Sequence, residues 1–172
     1  MSLGHKHHHE AHGNLTAKAA IASVSMALFL LALKVFAAAE TGSVALLGSL
    51  ADTAFDVLAS LLTLFSVRYA ARPADDDHRF GHGKAEALSA LIQVMLIVVS
   101  ASLIGWRAIV RLGSGETTSH PEYGIGVSLI AIVATLGLLA YQRHVVKKTG
   151  SVAIHADHVH YQSDLLLNIA VI

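Results

Sequence analysis

The chain has 172 residues, of which 54% are hydrophobic and 14% charged, and its mean hydropathy of +0.59 lies outside the usual range of a soluble globular domain. Formal net charge is zero with histidines neutral, which leaves no basic field for a nucleic acid and no acidic solvating tail. Cysteine is absent while histidine numbers 12, so disulfides, thiolate ligands and a cysteine nucleophile are excluded and imidazole remains as a donor for borderline divalent metals.

Residues 1–15 are polar and His-rich (MSLGHKHHHEAHGNL) and lack the apolar stretch of a signal peptide. They are expected to form a disordered tail, either a natural metal buffer or an added segment. Residues 16–172 then read as a transmembrane domain. Its apolar stretches are each long enough, at about 1.5 Å per helical residue, to cross a hydrocarbon core of about 30 Å. The first runs from about Thr16 to Ala39 and is interrupted by Lys34; a short turn leads to the second, about Val44 to Ala71, which carries Asp52 and Asp56 well inside its ends. A third spans about Glu86 to Leu112 and a fourth about Tyr123 to Tyr141. From Ser151 the sequence AIHADHVHYQSDLLLNIAVI is half polar and reads as a fifth helix with a wet face. The sequence stops at Ile172 on an apolar run without a cap, so truncation in or after the fifth helix is expected.

Lys and Arg orient these segments. Lys6, Lys18, Arg68, Arg72, Arg79, Lys84, Arg143, Lys147 and Lys148 fall on one side, whereas the other has mainly Arg107 and Arg111. The positive-inside rule makes the N-terminus and the second-to-third loop cytoplasmic. Trp106 and Tyr123 are expected as interfacial anchors on the other side.

Asp52 and Asp56 are one helical turn apart and share a face. Each carboxylate near mid-membrane costs roughly 2.5–3.5 kcal/mol on an insertion scale. They must be protonated, hydrogen-bonded to other helices, or neutralised by a cation. The fifth segment favours the cation, because His160 and Asp164 repeat the same spacing on a second polar face. One imidazole and three carboxylates match Zn²⁺, which takes such donors tetrahedrally at about 2.0–2.2 Å. Mg²⁺ and Ca²⁺ prefer oxygen-only shells of higher coordination number, while Fe²⁺, Cd²⁺ and Co²⁺ stay open. Metal entry must displace protons from such donors, and metal loss lets protons return, which is the outline of a metal/proton exchanger with His160 carrying at least one proton.

The stretch from Pro73 to Glu86 (PADDDHRFGHGKAE) holds Asp75, His78 and His82 close enough to converge if its glycines turn the chain. It is either a second, exposed metal site or a solvated loop that starts the next helix. Lys84 and Glu86 read as structural ion-pair residues rather than ligands.

Three strings, SLADTAFD in the second segment, PADDDHRFGHGKAE after it and HADHVHYQSD in the fifth, resemble the cation diffusion facilitator family, near its bacterial zinc and iron efflux members. The likeness extends from about Thr16 to Ile172. It implies an all-α polytopic helix bundle in which about five helices of an expected six are present, with a C-terminal cytoplasmic metal-binding and dimer-forming domain absent. It also implies a homodimer in a bacterial inner membrane, exporting Zn²⁺ or related metals in exchange for protons by alternating access. On that resemblance Asp52, Asp56, His160 and Asp164 match the transport site, and Asp75, His78 and His82 match a loop site found in some members.

Other residues carry less. Lys34 either snorkels or pairs, or lines the water-filled path. His155, Asp157 and His158 are expected near the cytoplasmic mouth, and His144 and His120 in loops at helix ends. An intramembrane metalloprotease would want an H-E-x-x-H helix, which the sequence lacks, so no enzymatic activity is expected. A metal-gated channel or a sensor would use the same ligands as a carrier.

Overall fold

The computed structural model describes residues 3–41, 44–114 and 121–171, with side chains described for 12–40, 49–110 and 123–170. Five helices follow one another: α1 (Leu3–Thr41), α2 (Val44–Ala70), α3 (Lys84–Ser114), α4 (Pro121–Thr149) and α5 (Val152–Val171). Among the described residues there is no strand. Four of these helices are long and apolar enough to cross a membrane, over His12–Glu40, Ser49–Ala70, Lys84–Val110 and Tyr123–Thr149. The half-polar α5 is not among them, in line with its wet face. Two boundaries differ from the sequence expectation. The end of the expected tail is helical and continuous with the first span, because Thr16 donates its hydroxyl to the carbonyls of His12 and Gly13 and adding a turn to an existing helix costs far less than nucleating one. The fourth helix continues to Thr149, so His144 lies on a helix rather than in a loop. His120 and the turn residues Gly42 and Ser43 lie outside the described residues.

Packing closes the bundle into a ring: α1 lies against α2 and α4, α2 against α3, and α3 and α4 against α5. Helix α5 also touches α1 and α2 across the ring, which places its polar face inside. Among the described side chains, the buried positions of α1 are Thr16, Ala19, Ala20, Ser23, Ala27, Leu30, Ala37 and Ala38. Their spacing of three and four makes a stripe of mostly small side chains, and small side chains let helix backbones approach closely where lipid gives no hydrophobic drive. Ala19 and Ala20 meet Val67, Val145, Ala153 and Ile154 in one apolar cluster. A second cluster joins Leu138, Leu139 and Tyr161. Large apolar residues such as Phe36, Phe65, Val98, Trp106 and Leu166 instead point outward. Small and polar groups inside with bulky apolar groups outside is the arrangement a helix bundle takes when hydrocarbon is its solvent.

The α4–α5 connection fixes where α5 begins. Gly150 has φ +67, a left-handed conformation that ends α4 without Cβ strain. Ser151 then caps α5 by accepting the Ile154 N–H at 3.3 Å. Its own hydroxyl donates to Glu86 Oε2 at 2.6 Å, and the same oxygen accepts the Ala153 N–H at 3.5 Å. Glu86 thus supplies a carboxylate to the start of α5, a helix with no acidic residue in its first turn. Its partners are hydroxyl and amide donors, where the sequence suggested an ion pair.

Candidate metal centre

On α2, Asp52, Asp56, Ser60 and Thr63 fall at helical spacing on one side, and on α5 Asp157, His160, Tyr161 and Asp164 do the same. These two stripes face each other. His160 is 5% exposed, and its Nε2 lies 3.2 Å from Asp56 Oδ1 and 3.6 Å from Asp164 Oδ2. Donor atoms of Asp56, His160 and Asp164 all lie within 4.8 Å of one another, close enough for one cation to bring them together. Asp164 Oδ2 is buried and accepts no hydrogen bond. An unsatisfied buried carboxylate oxygen beside an imidazole and a second carboxylate is the donor set a divalent cation would complete.

Asp52 stands apart from this cluster. Its Oδ2 is 3.5 Å from Nη1 of Arg107 on α3. Three of the residues expected at the transport site are therefore brought together, and the fourth is held one turn away by an arginine. Asp52 pairs with a residue of α3 where Asp56 pairs with one of α5. Lys34 donates to Thr53 Oγ1 at 2.6 Å, so its ammonium ends on α2 beside the polar stripe.

Below the cluster lies a polar network that spacing alone did not expose. Asp157, expected near the mouth, is 0% exposed. It accepts from Gln142 Nε2 on α4 at 2.7 Å and from Gln93 Nε2 on α3 at 3.4 Å. Gln142 Nε2 also donates to Ser23 Oγ on α1 at 3.0 Å, and Gln93 Nε2 to Thr63 Oγ1 on α2. Tyr161 donates its hydroxyl to the Ser23 carbonyl at 2.8 Å and shares a hydrogen bond with Ser60 at 3.0 Å. All five helices thus meet around one turn of α5, and that turn carries His160. The available signals were the glutamine inside the apolar third segment, the one just past the end of the fourth, and the i, i+3 spacing from Asp157 to His160. His155 is exposed and His158 half-buried at the start of the same helix.

The loop residues also converge. Gly81, at φ +77, turns the chain and donates its N–H to the His78 carbonyl at 2.9 Å. Asp75 Oδ1 accepts the backbone N–H of His78 at 2.7 Å and lies 3.0 Å from its Nδ1, while Asp75 Oδ2 lies 3.4 Å from His82 Nε2. The backbone hydrogen bond from His78, followed by its imidazole, holds the Asp75 carboxyl below the ordinary carboxylate range. His82 is buried edge-on against the Tyr69 ring at 4.6 Å, and its Nδ1 has no hydrogen-bond partner. Donor atoms of Asp75, His78 and His82 likewise lie within 4.8 Å of one another.

Comparison with known proteins places this architecture. The cation efflux transmembrane domain family matches residues 20–172. Proteins named cation-efflux pump FieF from Salmonella arizonae, Salmonella newport and Salmonella typhimurium are each 47% identical over 163 residues, covering 95% of this chain and 54% of the relative. The chain spans about half the length of the curated relatives it matches. A helical bundle that presents bulky apolar residues outward, with His and Asp gathered inside it and these matches along nearly its whole length, is an integral membrane protein, and the chain belongs to the cation diffusion facilitator family.

Proposed function

We propose that this chain is the membrane part of a divalent-cation exporter that binds Zn²⁺ at Asp52, Asp56, His160 and Asp164 and exchanges it for protons by alternating access. Fe²⁺, Cd²⁺ and Co²⁺ are the alternative substrates. The observation that carries the proposal is the approach of His160 Nε2 to Asp56 Oδ1 at 3.2 Å beside the hydrogen-bond-free Asp164 Oδ2. A single nitrogen lone pair takes either a proton or a metal ion. A proton on Nε2 points at Asp56; a metal bound there must first displace it. Exchange is thereby built into one atom rather than needing a separate coupling device.

Asp75, His78 and His82 form a second cation site in the loop, with His82 Nε2 3.4 Å from Asp75 Oδ2 and the turn already set by Asp75. The native assembly is a homodimer in a bacterial inner membrane with the N-terminus cytoplasmic. Support comes from the basic residues clustered in the second-to-third loop and at the end of α4, from the Salmonella relatives, and from an α3 whose outer face is apolar along most of its length. The test is transport in proteoliposomes under an imposed proton gradient, with Zn²⁺, Fe²⁺, Cd²⁺ and Mn²⁺ compared. A carrier saturates and follows the proton gradient. Conduction down the metal gradient at constant pH, without saturation, would instead identify a channel.

A further inference from the structure

Asp52 has two prospective partners and one carboxylate. As a ligand it would complete a tetrahedral set with Asp56, His160 and Asp164; in the structure its Oδ2 is paired with Arg107 Nη1 at 3.5 Å. The Arg107 side chain is about half exposed and that of Asp52 one-third exposed, so both can turn. A guanidinium on a membrane helix requires an anion nearby, and Asp52 serves as one. With Asp52 held by Arg107, Asp56 and Asp164 still supply the two negative charges that balance a divalent cation. The cluster can therefore engage a metal before Asp52 arrives and keep it briefly after Asp52 leaves.

We propose that Arg107 is a positioning residue that competes with the transported cation for Asp52, holding this carboxylate out of the ligand set until the metal draws it in and taking it back as the metal departs. The proposal rests on the transport-site reading above. Its consequence is a binding site kept weaker, and a release step kept faster, than four committed ligands would give. A carrier needs both, since a ligand set that never loosens traps its cargo.

The experiment is the Zn²⁺ dependence of transport in proteoliposomes of the full-length protein, for wild type, Arg107→Gln, Arg107→Lys and Asp56→Ala. Arg107→Gln is expected to lower KM about fivefold, the scale of a partly exposed ion pair, and to lower the maximal rate with it. Arg107→Lys, which keeps the charge, should retain the wild-type KM. Equilibrium Zn²⁺ binding in detergent, with the loop site removed by His78→Ala, provides the complementary measurement: Arg107→Gln or Arg107→Met tightens binding, and neither does so in an Asp52→Asn background, because the effect passes through Asp52. An unchanged or raised KM in Arg107→Gln, a Lys variant that behaves like Gln, or equal tightening without the Asp52 carboxylate each overturns the competition. Undiminished flux in Asp56→Ala would instead overturn the transport site itself, so the two failures are distinguishable.

Discussion

His160 presents its Nε2 to Asp56 and Asp164 at once, and under the proposed function its removal would take away both a nitrogen ligand and an exchangeable proton. His160→Ala is therefore expected to reduce Zn²⁺-driven proton flux by on the order of 10- to 100-fold or more, judged from the cost of disturbing even indirect metal partners. Flux at the wild-type level would exclude His160 as a proton carrier. Asp157 is a different kind of residue. Replacing it by Leu leaves the Gln93 and Gln142 amide groups each one acceptor short, at a cost of about 1–3 kcal/mol for a buried polar group. Asp157→Asn should cost less, because its amide oxygen can still accept from one glutamine Nε2 while its amide nitrogen needs only the other glutamine to turn its partnerless Oε1 toward it. Thermal melting of both variants in detergent checks the order. The i, i+4 pairs were legible because helix geometry alone puts such residues on one face. Asp157 was not, because its burial depends on which helices pack over the first turns of α5, and no local pattern contains that information.

At the level of elements, α5 is set by its start. Ser151 caps it, and Glu86 reaches from α3 to hold both the cap hydroxyl and the Ala153 N–H. Glu86→Ala is expected to cost about 1 kcal/mol, as cap losses do, and to speed hydrogen exchange over residues 152–155 without changing exchange in the middle of α4. The loop before α3 has its own pH behaviour. Because the Asp75 carboxyl is held below the ordinary range, its contribution to the turn is fully present above the unfolded aspartate value of about 3.9 and is lost only as pH falls through the lower folded value. Exchange protection across residues 75–82 should thus be insensitive to Asp75 titration between about pH 5 and 7, and Asp75→Ala, which removes the acceptor of the His78 N–H, should lose it throughout that window. Protection that fades midway through the window in wild type, or that survives in the variant, contradicts this account of the turn. The convergence of Asp75, His78 and His82 could be anticipated from the intervening glycines. The partnership of Glu86 could not, because Ser151 is 65 residues away in the chain.

For the whole molecule, the sequence carried the bundle because hydropathy and helix length are local properties, and four spans emerge almost where the apolar runs lie. What it could not carry is which helix faces which. The ring of contacts turns the polar face of α5 inward, gathers Asp56, His160 and Asp164, and leaves Asp52 to Arg107. Orientation is testable because the chain has no cysteine. A single Cys introduced at Asp76 should react with a membrane-impermeant maleimide only from the cytoplasmic side, and one at Tyr123, exposed at the start of α4, only from the opposite side; the reverse pattern would invert the topology. The central claim, that the intramembrane cluster carries a cation in exchange for protons, is tested most directly by Zn²⁺-driven proton flux in proteoliposomes of wild type and Asp56→Ala. The account predicts saturable flux in the wild type and its loss in the variant, whereas equal flux in both proteins would contradict it.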